Sequence, residues 1–480
     1  MNCQVLIVGG GPAGLGAALL LNAMGWRDIV VVERRAASEG FDRGRAFNYQ
    51  LEGRGQRLLE RVGIEQSTIS RYGLPNDHFT LTKLMPDGTT STMQPPILVP
   101  GRKTPYWMTR SRLLALLHEA LEPVIERGAV TLLDGHTFEA FQVDGDTHHA
   151  VIANATASTD ATPLKLQPTL VLACDGLSSA VRQALLAVDP GTAPELERIV
   201  HPSPAADLAY KVLSMPPSFT ANDGRTAVND HTMAYAFLST YRDPKERMSL
   251  FALPVATPED PRSINIILPK DHRFWSLTDP NDVEAFLTSG FPQIDVRAVA
   301  GPDEFASFVA ARPGQFPQPQ YTRRIYHSLP GANGRTMHCV LLGDAAHAFP
   351  PDLGMGVNSA LEDVAELESY LEQVDRSAAL RAYAAAREPE HASLVRLVQT
   401  VHPYQYNQTP WRLKLWTARF LAQLLVHKAT FGLIDMPGFM LSQRHTMAFT
   451  EMERRYRAGN RAMSLLGLGA LAGAGYLAFF

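Results

Sequence analysis

The chain has 480 residues, too many for one ordinary core, so two or more domains are expected. With 45% hydrophobic and 19% charged residues it is neither disordered nor a multi-span membrane protein. A net charge of -4 provides no field for nucleic acid, and Cys3, Cys174 and Cys339 have no redox-dithiol or zinc spacing and fit a reducing compartment.

In chain order, Gln4 to Val8 reads as a buried strand, too short for a secretory signal and running straight into Gly9-Gly10-Gly11-Pro12-Ala13-Gly14. An apolar helix follows to Met24, stopped by Gly25, and Ile29 to Val32 is a second strand ending at Glu33. This is a βαβ unit with the Gly-x-Gly-x-x-Gly spacing of a dinucleotide site. Gly9 permits the tight turn, Gly11 lets the backbone approach a pyrophosphate, and Gly14 lets helix and strand pack closely. Free N–H groups at the helix start favour the phosphates, and Glu33 is placed to accept the ribose hydroxyls.

Further along, Glu52 to Val62 and Ser111 to Glu122 read as helices, and Thr169 to Ala173 as a buried strand running into Cys174-Asp175-Gly176. From Leu208 to Leu268, short β-rich runs between Pro and Asp clusters indicate a mainly antiparallel sheet. Cys339 to Leu342 returns to a buried strand, followed by Gly343-Asp344, then Pro350 to Asn358 and a helix over Ala360 to Gln373. Glycines ahead of a helix start leave N–H donors for an electron-rich ring edge, such as a reduced flavin pyrimidine. Ala378 to Arg461 is mostly helical. The uncharged run 463–480 follows Arg454, Arg455, Arg457 and Arg461, and its length predicts a membrane anchor with the catalytic part on the cytosolic side.

The three-part pattern of Gly9–Gly14, Asp175 and Asp344 resembles the class A flavoprotein aromatic monooxygenases, with the p-hydroxybenzoate hydroxylase fold. Within that family it is most similar to the kynurenine 3-monooxygenase branch, over nearly the whole chain. Gly44-Arg45-Ala46-Phe47-Asn48-Tyr49, Arg54-Gly55, Val62-Gly63 and Thr109-Arg110 resemble that branch's segments. So do Leu341 to Ala348, the run Pro351-x-x-Gly354-x-Gly356-x-Asn358 and Glu362-Asp363. The resemblance implies FAD contacts at Gly9, Gly11, Ala13, Gly14, Glu33, Arg34, Arg45, Arg110, Asp344, Gly354, Gly356, Val357 and Asn358. It further implies that Asp175 touches both FAD and a nicotinamide nucleotide. His347 is read as structural rather than as an acid–base group.

The departure is at the substrate. Where that branch carries a carboxylate-binding Arg, this chain has Phe79. Its Asn falls near Thr400, and its later Tyr falls near Leu433 to Asp435, where there is none. Loss of a bidentate cation is not conservative. Phe79, Tyr106 and Tyr404 are the substrate contacts the sequence offers instead, each equally compatible with a packing role.

The expected fold is therefore α/β. Residues 1–72, 108–197 and 335–375 form a Rossmann-like FAD-binding domain, and 73–107 with 198–334 a β-sheet substrate domain. A helical C-terminal region spans 376–462, ahead of the anchor 463–480. The expected chemistry is hydroxylation of a small aromatic substrate with FAD, NADPH or NADH, and O₂ through a flavin C4a-hydroperoxide. No second Gly-x-Gly-x-x-Gly in strand context occurs, so the nicotinamide would bind only in passing. A flavin halogenase is set aside because no Trp-x-Trp-x-Ile-Pro motif exists. A membrane-associated flavin reductase of a prenyl or quinone substrate stays as the alternative.

Overall fold

The computed structural model describes residues 3–36, 48–94, 99, 102–145, 147–155, 162–331, 334–404, 406 and 409–478, with backbone alone for 468–478. Arg45 lies outside them.

The fold is α/β. Its first sheet has the strand order Tyr326–Pro330, Thr336–Leu341, Leu170–Ala173, Val5–Val8, Ile29–Glu33, Val130–Asp134. All neighbours run parallel except the antiparallel edge strand Tyr326–Pro330. The central strands are apolar at nearly every position because both faces are covered, so they read as continuous hydrophobic runs rather than alternating ones. Helix Pro12–Ala23 covers one face together with Gly53–Arg61 and Gly356–Leu371.

The second sheet has seven strands, in the order Gly314–Gln315, Leu208–Met215, Arg262–Pro269, Ser249–Ala252, Ala234–Leu238, Leu81–Leu84, Thr90–Met93. Only Ala234–Leu238 with Leu81–Leu84 is parallel. Helices Pro280–Gly290 and Pro302–Ala310 bring Phe286, Phe305 and Phe308 into a core with Phe274 and Phe291. Arg262 is fully buried there and donates to the carbonyls of Pro217, Asp230 and Met233, tying three loops together. Strand Tyr106–Thr109 does not join this sheet. It pairs with Asn48–Leu51 and Leu74–Pro75.

The C-terminal part is helical: Arg376–Val401, Pro410–Ala429, Gly438–Ser442 and Phe449–Ala478. The last helix corrects the expected anchor. No helix among the described residues is long and apolar enough to cross a membrane. The tail continues a helix that begins as a packed element. Phe449 and Met452 are buried in the helical core, and Glu453 takes two 2.7 Å hydrogen bonds from Arg396. A bilayer core requires about 20 apolar residues in one helix. Membrane association through 463–480, and the localisation inferred from it, are therefore not supported.

Candidate active site

The parallel sheet gathers what the sequence scatters. Val5–Val8 leads into Gly9, Ile29–Glu33 ends on Glu33, Leu170–Ala173 precedes Asp175, and Thr336–Leu341 precedes Gly343-Asp344. These four strands are adjacent and parallel, so their carboxyl ends lie along one edge in the order Asp344, Asp175, Gly9, Glu33. In open α/β sheets that edge is where ligands bind.

The three glycines of the first turn are required for three different reasons. Gly9 has φ +106, and a Cβ on it would lie 2.3 Å from the Cys174 carbonyl oxygen. A Cβ on Gly14 would lie 1.9 Å from the Gly9 oxygen, so only glycine lets helix and strand approach. Gly11 is the opposite case, because a Cβ there meets nothing within 4 Å. The space over Gly11 at the start of Pro12–Ala23 is the cradle a pyrophosphate would fill, with the free N–H groups of Ala13 and Gly14 beside it. Glu33 is held in place by its own loop. Its Oε2 accepts from Gly10 N–H at 2.8 Å and its Oε1 from Arg35 N–H at 3.0 Å. A carboxylate retains lone pairs beyond these for ribose hydroxyls. The expected neighbour Arg34 is exposed, and it is Arg35 that touches Glu33.

Asp344 reaches solvent from within a crevice. The surrounding protein raises its carboxyl above the usual range, with His347 and Arg110 pulling it back. Tyr49, half-buried, lies in the electrostatic reach of Arg110, Asp344 and Tyr210. Tyr210 belongs to the seven-stranded sheet, so the two sheets face each other across this point. Asp175 is partly committed. Its Oδ2 accepts from Val181 N–H at 3.0 Å at the start of helix Ala180–Val188, while buried Oδ1 has no partner. Burial raises this carboxyl too. Asp344→Ala is expected to leave the fold intact and weaken FAD binding about tenfold to hundredfold, the worth of one charge-assisted hydrogen bond. Titration of the apoprotein with FAD measures it, and unchanged affinity would move the site elsewhere.

The second glycine loop ends in the left-handed Gly354, φ +63, and opens helix Gly356–Leu371. Neither Gly354 nor Gly356 would meet anything within 4 Å if given a Cβ, so both are open on the outer side. The N–H groups of Gly356, Val357 and Asn358 have no carbonyl in their own helix and could hold a flavin ring edge. Asn358 is fully buried and its side chain is used internally. Its Nδ2 donates to Gln50 O at 2.8 Å and Gly354 O at 3.0 Å, and its Oδ1 accepts from Glu52 N–H at 2.8 Å. It locks the Asn48–Leu51 strand to the glycine loop, leaving only its backbone for a cofactor.

Beneath this loop is a polar cluster that sequence reading missed. Asp363, fully buried, accepts from Gly343 N–H at 3.0 Å, His347 Nε2 at 2.8 Å, His391 Nε2 at 2.8 Å and Arg387 Nη2 at 2.7 Å. Glu362 receives Arg54 at 2.5 Å, Arg57 at 2.8 Å and Arg387 at 3.2 Å. Burial alone would raise the Asp363 carboxyl, but His391, His347 and Arg387 outweigh it and hold it well below the carboxylate range. Each histidine donates Nε2–H to the carboxylate, leaving Nδ1 without a partner. His347, Asp363 and His391 form a potential metal-ligand set, their donor atoms within 4.8 Å of one another. The Arg387 guanidinium already sits on the carboxylate a dication would need, so the arrangement suits an ion pair better than a metal. The cluster ties the Gly343-Asp344 turn to helix Arg376–Val401. Only the adjacency of Glu362 and Asp363 hinted at it.

The three expected substrate residues lie in three different settings. Tyr106 is 4% exposed within the core of the first sheet. Phe79 packs near Trp107, ring centroids 6.3 Å apart. Tyr404 lies beyond helix Arg376–Val401, its hydroxyl 3.5 Å from Arg412. An aromatic row that sequence reading did not name runs from Tyr210 to Phe316 (5.0 Å) to Tyr406 (5.7 Å), joining the second sheet to the helical region. A Cβ at Gly314 would lie 2.3 Å from the Tyr210 ring, so glycine makes room for it.

Comparison with known proteins agrees with this geometry. Residues 2–200 and 333–398 match the family model of the FAD binding domain. Kynurenine 3-monooxygenase of Salinispora arenicola is 28% identical over 404 residues, covering 80% of this chain and 76% of that one. Among solved structures, PqsL of Pseudomonas aeruginosa in complex with 2-aminobenzoylacetate superposes with a TM-score of 0.55 at 21% identity, covering 87% of this chain and all of that one. The flavin-dependent monooxygenase PieE, in complex with FAD and substrate, gives 0.58 at 18% identity, covering 96% of this chain and 72% of that one. With more than half of its residues inside the family model, the chain belongs to the FAD-binding domain family, and its chemistry is that of the FAD-dependent monooxygenases.

Proposed function

We propose that this protein hydroxylates a small aromatic substrate, kynurenine-like or more apolar, using NADPH or NADH and O₂. The observation that carries the reading is the single sheet edge. There the pyrophosphate cradle at Gly11, the ribose carboxylate Glu33 and the crevice carboxylate Asp344 stand in line, facing a second sheet across Tyr49 and Tyr210. When bound, FAD supplies the redox chemistry, accepting a hydride and activating O₂, so that one oxygen atom enters the ring and the other leaves as water.

The chain's own part is holding and shielding. Gly11, Ala13 and Gly14 would seat the phosphates, with Glu33 on the ribose of the adenosine half. Asp344 and Arg110 would hold the other end of the dinucleotide. The first N–H groups of helix Gly356–Leu371 would stabilise electron density on the flavin pyrimidine. The second sheet and the Tyr210–Phe316–Tyr406 row would close the ring face from water, which protects an activated oxygen from wasteful release. Phe79, in place of a carboxylate-binding cation, favours a more apolar substrate than an amino acid.

The test is substrate-dependent O₂ uptake coupled to NAD(P)H oxidation, with ¹⁸O from labelled O₂ recovered in the product. Kynurenine is the first compound to try, and uncharged aryl ketones follow. Reduction of a quinone without oxygen, and no ¹⁸O in any aromatic product, would replace the monooxygenase reading with a reductase.

A further inference from the structure

Helix Arg110–Glu126 begins with two cations, Arg110 and Arg112, and has no acidic residue in its first turn. The free N–H groups at a helix start disfavour positive charge, so helix stability explains neither side chain. Arg110 lies within electrostatic reach of Asp344 and Tyr49 at the cofactor crevice. Arg112 has a different partner. Its Nη2 donates to both oxygens of Asp260, at 2.6 and 2.7 Å, and its Nη1 to the Arg71 carbonyl at 3.4 Å.

Asp260 belongs to the other layer of the molecule. It sits in the loop between Ser249–Ala252 and Arg262–Pro269 of the seven-stranded sheet. Its Oδ2 accepts from Thr257 N–H at 2.9 Å, which fixes the carboxylate within the loop. Two residues on, Arg262 anchors that loop through the carbonyls of Pro217, Asp230 and Met233. Among the described residues, no other ion pair joins the elements packed on the first sheet to the region from Leu208 to Gln315. The Arg112 and Asp260 side chains are 28% and 23% exposed, so salt can screen the pair, and its share of overall stability is small. Its place is what gives it a use. It bridges the two layers two residues from Arg110, where Asp344 and Tyr49 stand on one side of the crevice and Tyr210 on the other.

Resting on the reading that FAD lies along this sheet edge, we propose that Arg112 is a positioning residue whose ion pair with Asp260 clasps the seven-stranded sheet over the cofactor crevice. Arg112 acts through Asp260 on the loop ahead of Arg262–Pro269, and through its own helix turn on Arg110. With the clasp shut, water is kept from the flavin ring, which an activated oxygen needs if it is to reach the substrate. Breaking the clasp shifts the population toward an open crevice without removing any group that would hold FAD.

The experiment uses FAD-loaded protein and requires no substrate. Acrylamide quenching of the bound-flavin fluorescence reports solvent access to the ring. Arg112→Gln and Asp260→Asn are each expected to raise the quenching constant about two- to fivefold, the population shift that a partly exposed pair supports. FAD affinity and melting temperature are expected to stay near wild type in both. The double variant is expected to match the single ones, because the two side chains act as a unit. Arg112→Lys, which keeps a cation but loses the planar fork, is expected to retain part of the protection. At about 1 M NaCl, where the Debye length is about 3 Å, wild type is expected to reach the level of the variants while the variants stay unmoved. Equal quenching in wild type and variants at every salt concentration overturns the clasp and leaves the flavin site standing. Additive effects in the double variant, or quenching that rises only in step with lost FAD or a lowered melting temperature, also overturn it. If wild type takes up no FAD, the cofactor reading fails first and this inference falls with it.

Discussion

Gly11→Val is expected to give a folded protein without flavin, whereas Gly14→Val is expected not to fold. The two residues are three apart in one motif, and the difference is steric. At Gly11 φ is -78 and ψ is -177, extended backbone open to any residue, and a Cβ meets nothing within 4 Å. The apoprotein therefore tolerates a side chain there. The cofactor does not, because the side chain occupies the space through which the pyrophosphate reaches the helix N-terminus. At Gly14 a Cβ would be 1.9 Å from the Gly9 oxygen and 3.3 Å from the Ile7 side chain, in the centre of the sheet. Backbone cannot yield as a flexible side chain does, so the cost should exceed the roughly 3 kcal/mol typical of overpacking. Circular dichroism and flavin absorbance separate the outcomes. Excess FAD should raise the melting temperature of wild type and leave that of Gly11→Val unmoved. A yellow Gly11→Val protein would show that the cradle is misplaced.

Asp363→Ala is expected to destabilise the protein by about 3–5 kcal/mol, because it leaves two histidines without an acceptor in a dry interior and Arg387 with Glu362 as its one carboxylate. The substitution also frees Gly343 N–H, so FAD retention should fall with stability. His391 gives the network a pH signature. Burial lowers its pKa to about 4, with Asp363 opposing and His347 adding to the shift. An unfolded histidine titrates at about 6.5. Between these values the unfolded chain binds a proton that the folded one refuses, so this group's contribution falls as pH falls, by up to about 1.4 kcal/mol per pH unit. Asp363, held low, contributes with the same sign but further down, its share being lost as pH drops through its depressed folded value. The difference in unfolding free energy between wild type and His391→Gln should thus shift against wild type from about pH 6.5 to about pH 4 and be flat above. A difference independent of pH would mean that His391 is not buried neutral.

These two predictions differ in how much of their basis the sequence displays. The glycine turn is local. Its spacing, the preceding apolar strand and the answering Glu33 all fall within the first βαβ unit, where a Cβ would collide with backbone at Gly9 and Gly14 and meet nothing at Gly11. The Asp175 and Asp344 strand ends were legible for the same reason, since each strand is an unbroken buried run. The Asp363 network was not legible. Its members Arg54, Gly343, His347 and Glu362 come from four separate elements and Arg387 with His391 from a fifth, and no periodicity marks a charge that will be buried against another. The same applies to Asn358, which the family resemblance offered as a cofactor contact and whose side chain is consumed by Gln50, Glu52 and Gly354.

The tail and the substrate side show the other limit. An uncharged run ending the chain satisfies a length rule, but whether it is an anchor depends on the helix it belongs to. Here that helix starts as a packed element at Phe449 and Met452, and no helix among the described residues reaches spanning length and apolarity. Tyr106 was offered as an aromatic contact and is buried in the core packed on the first sheet, from a strand of a separate three-stranded sheet, because alternation along a strand does not say which sheet it will join. The sequence by itself displayed the dinucleotide site, because a phosphate cradle needs glycines and a carboxylate at fixed short spacings, and its resemblance to a known family carried the flavin and the class of chemistry. Only the tertiary structure decided that four distant strand ends share one edge. Burial and strand order depend on contacts between residues hundreds of positions apart.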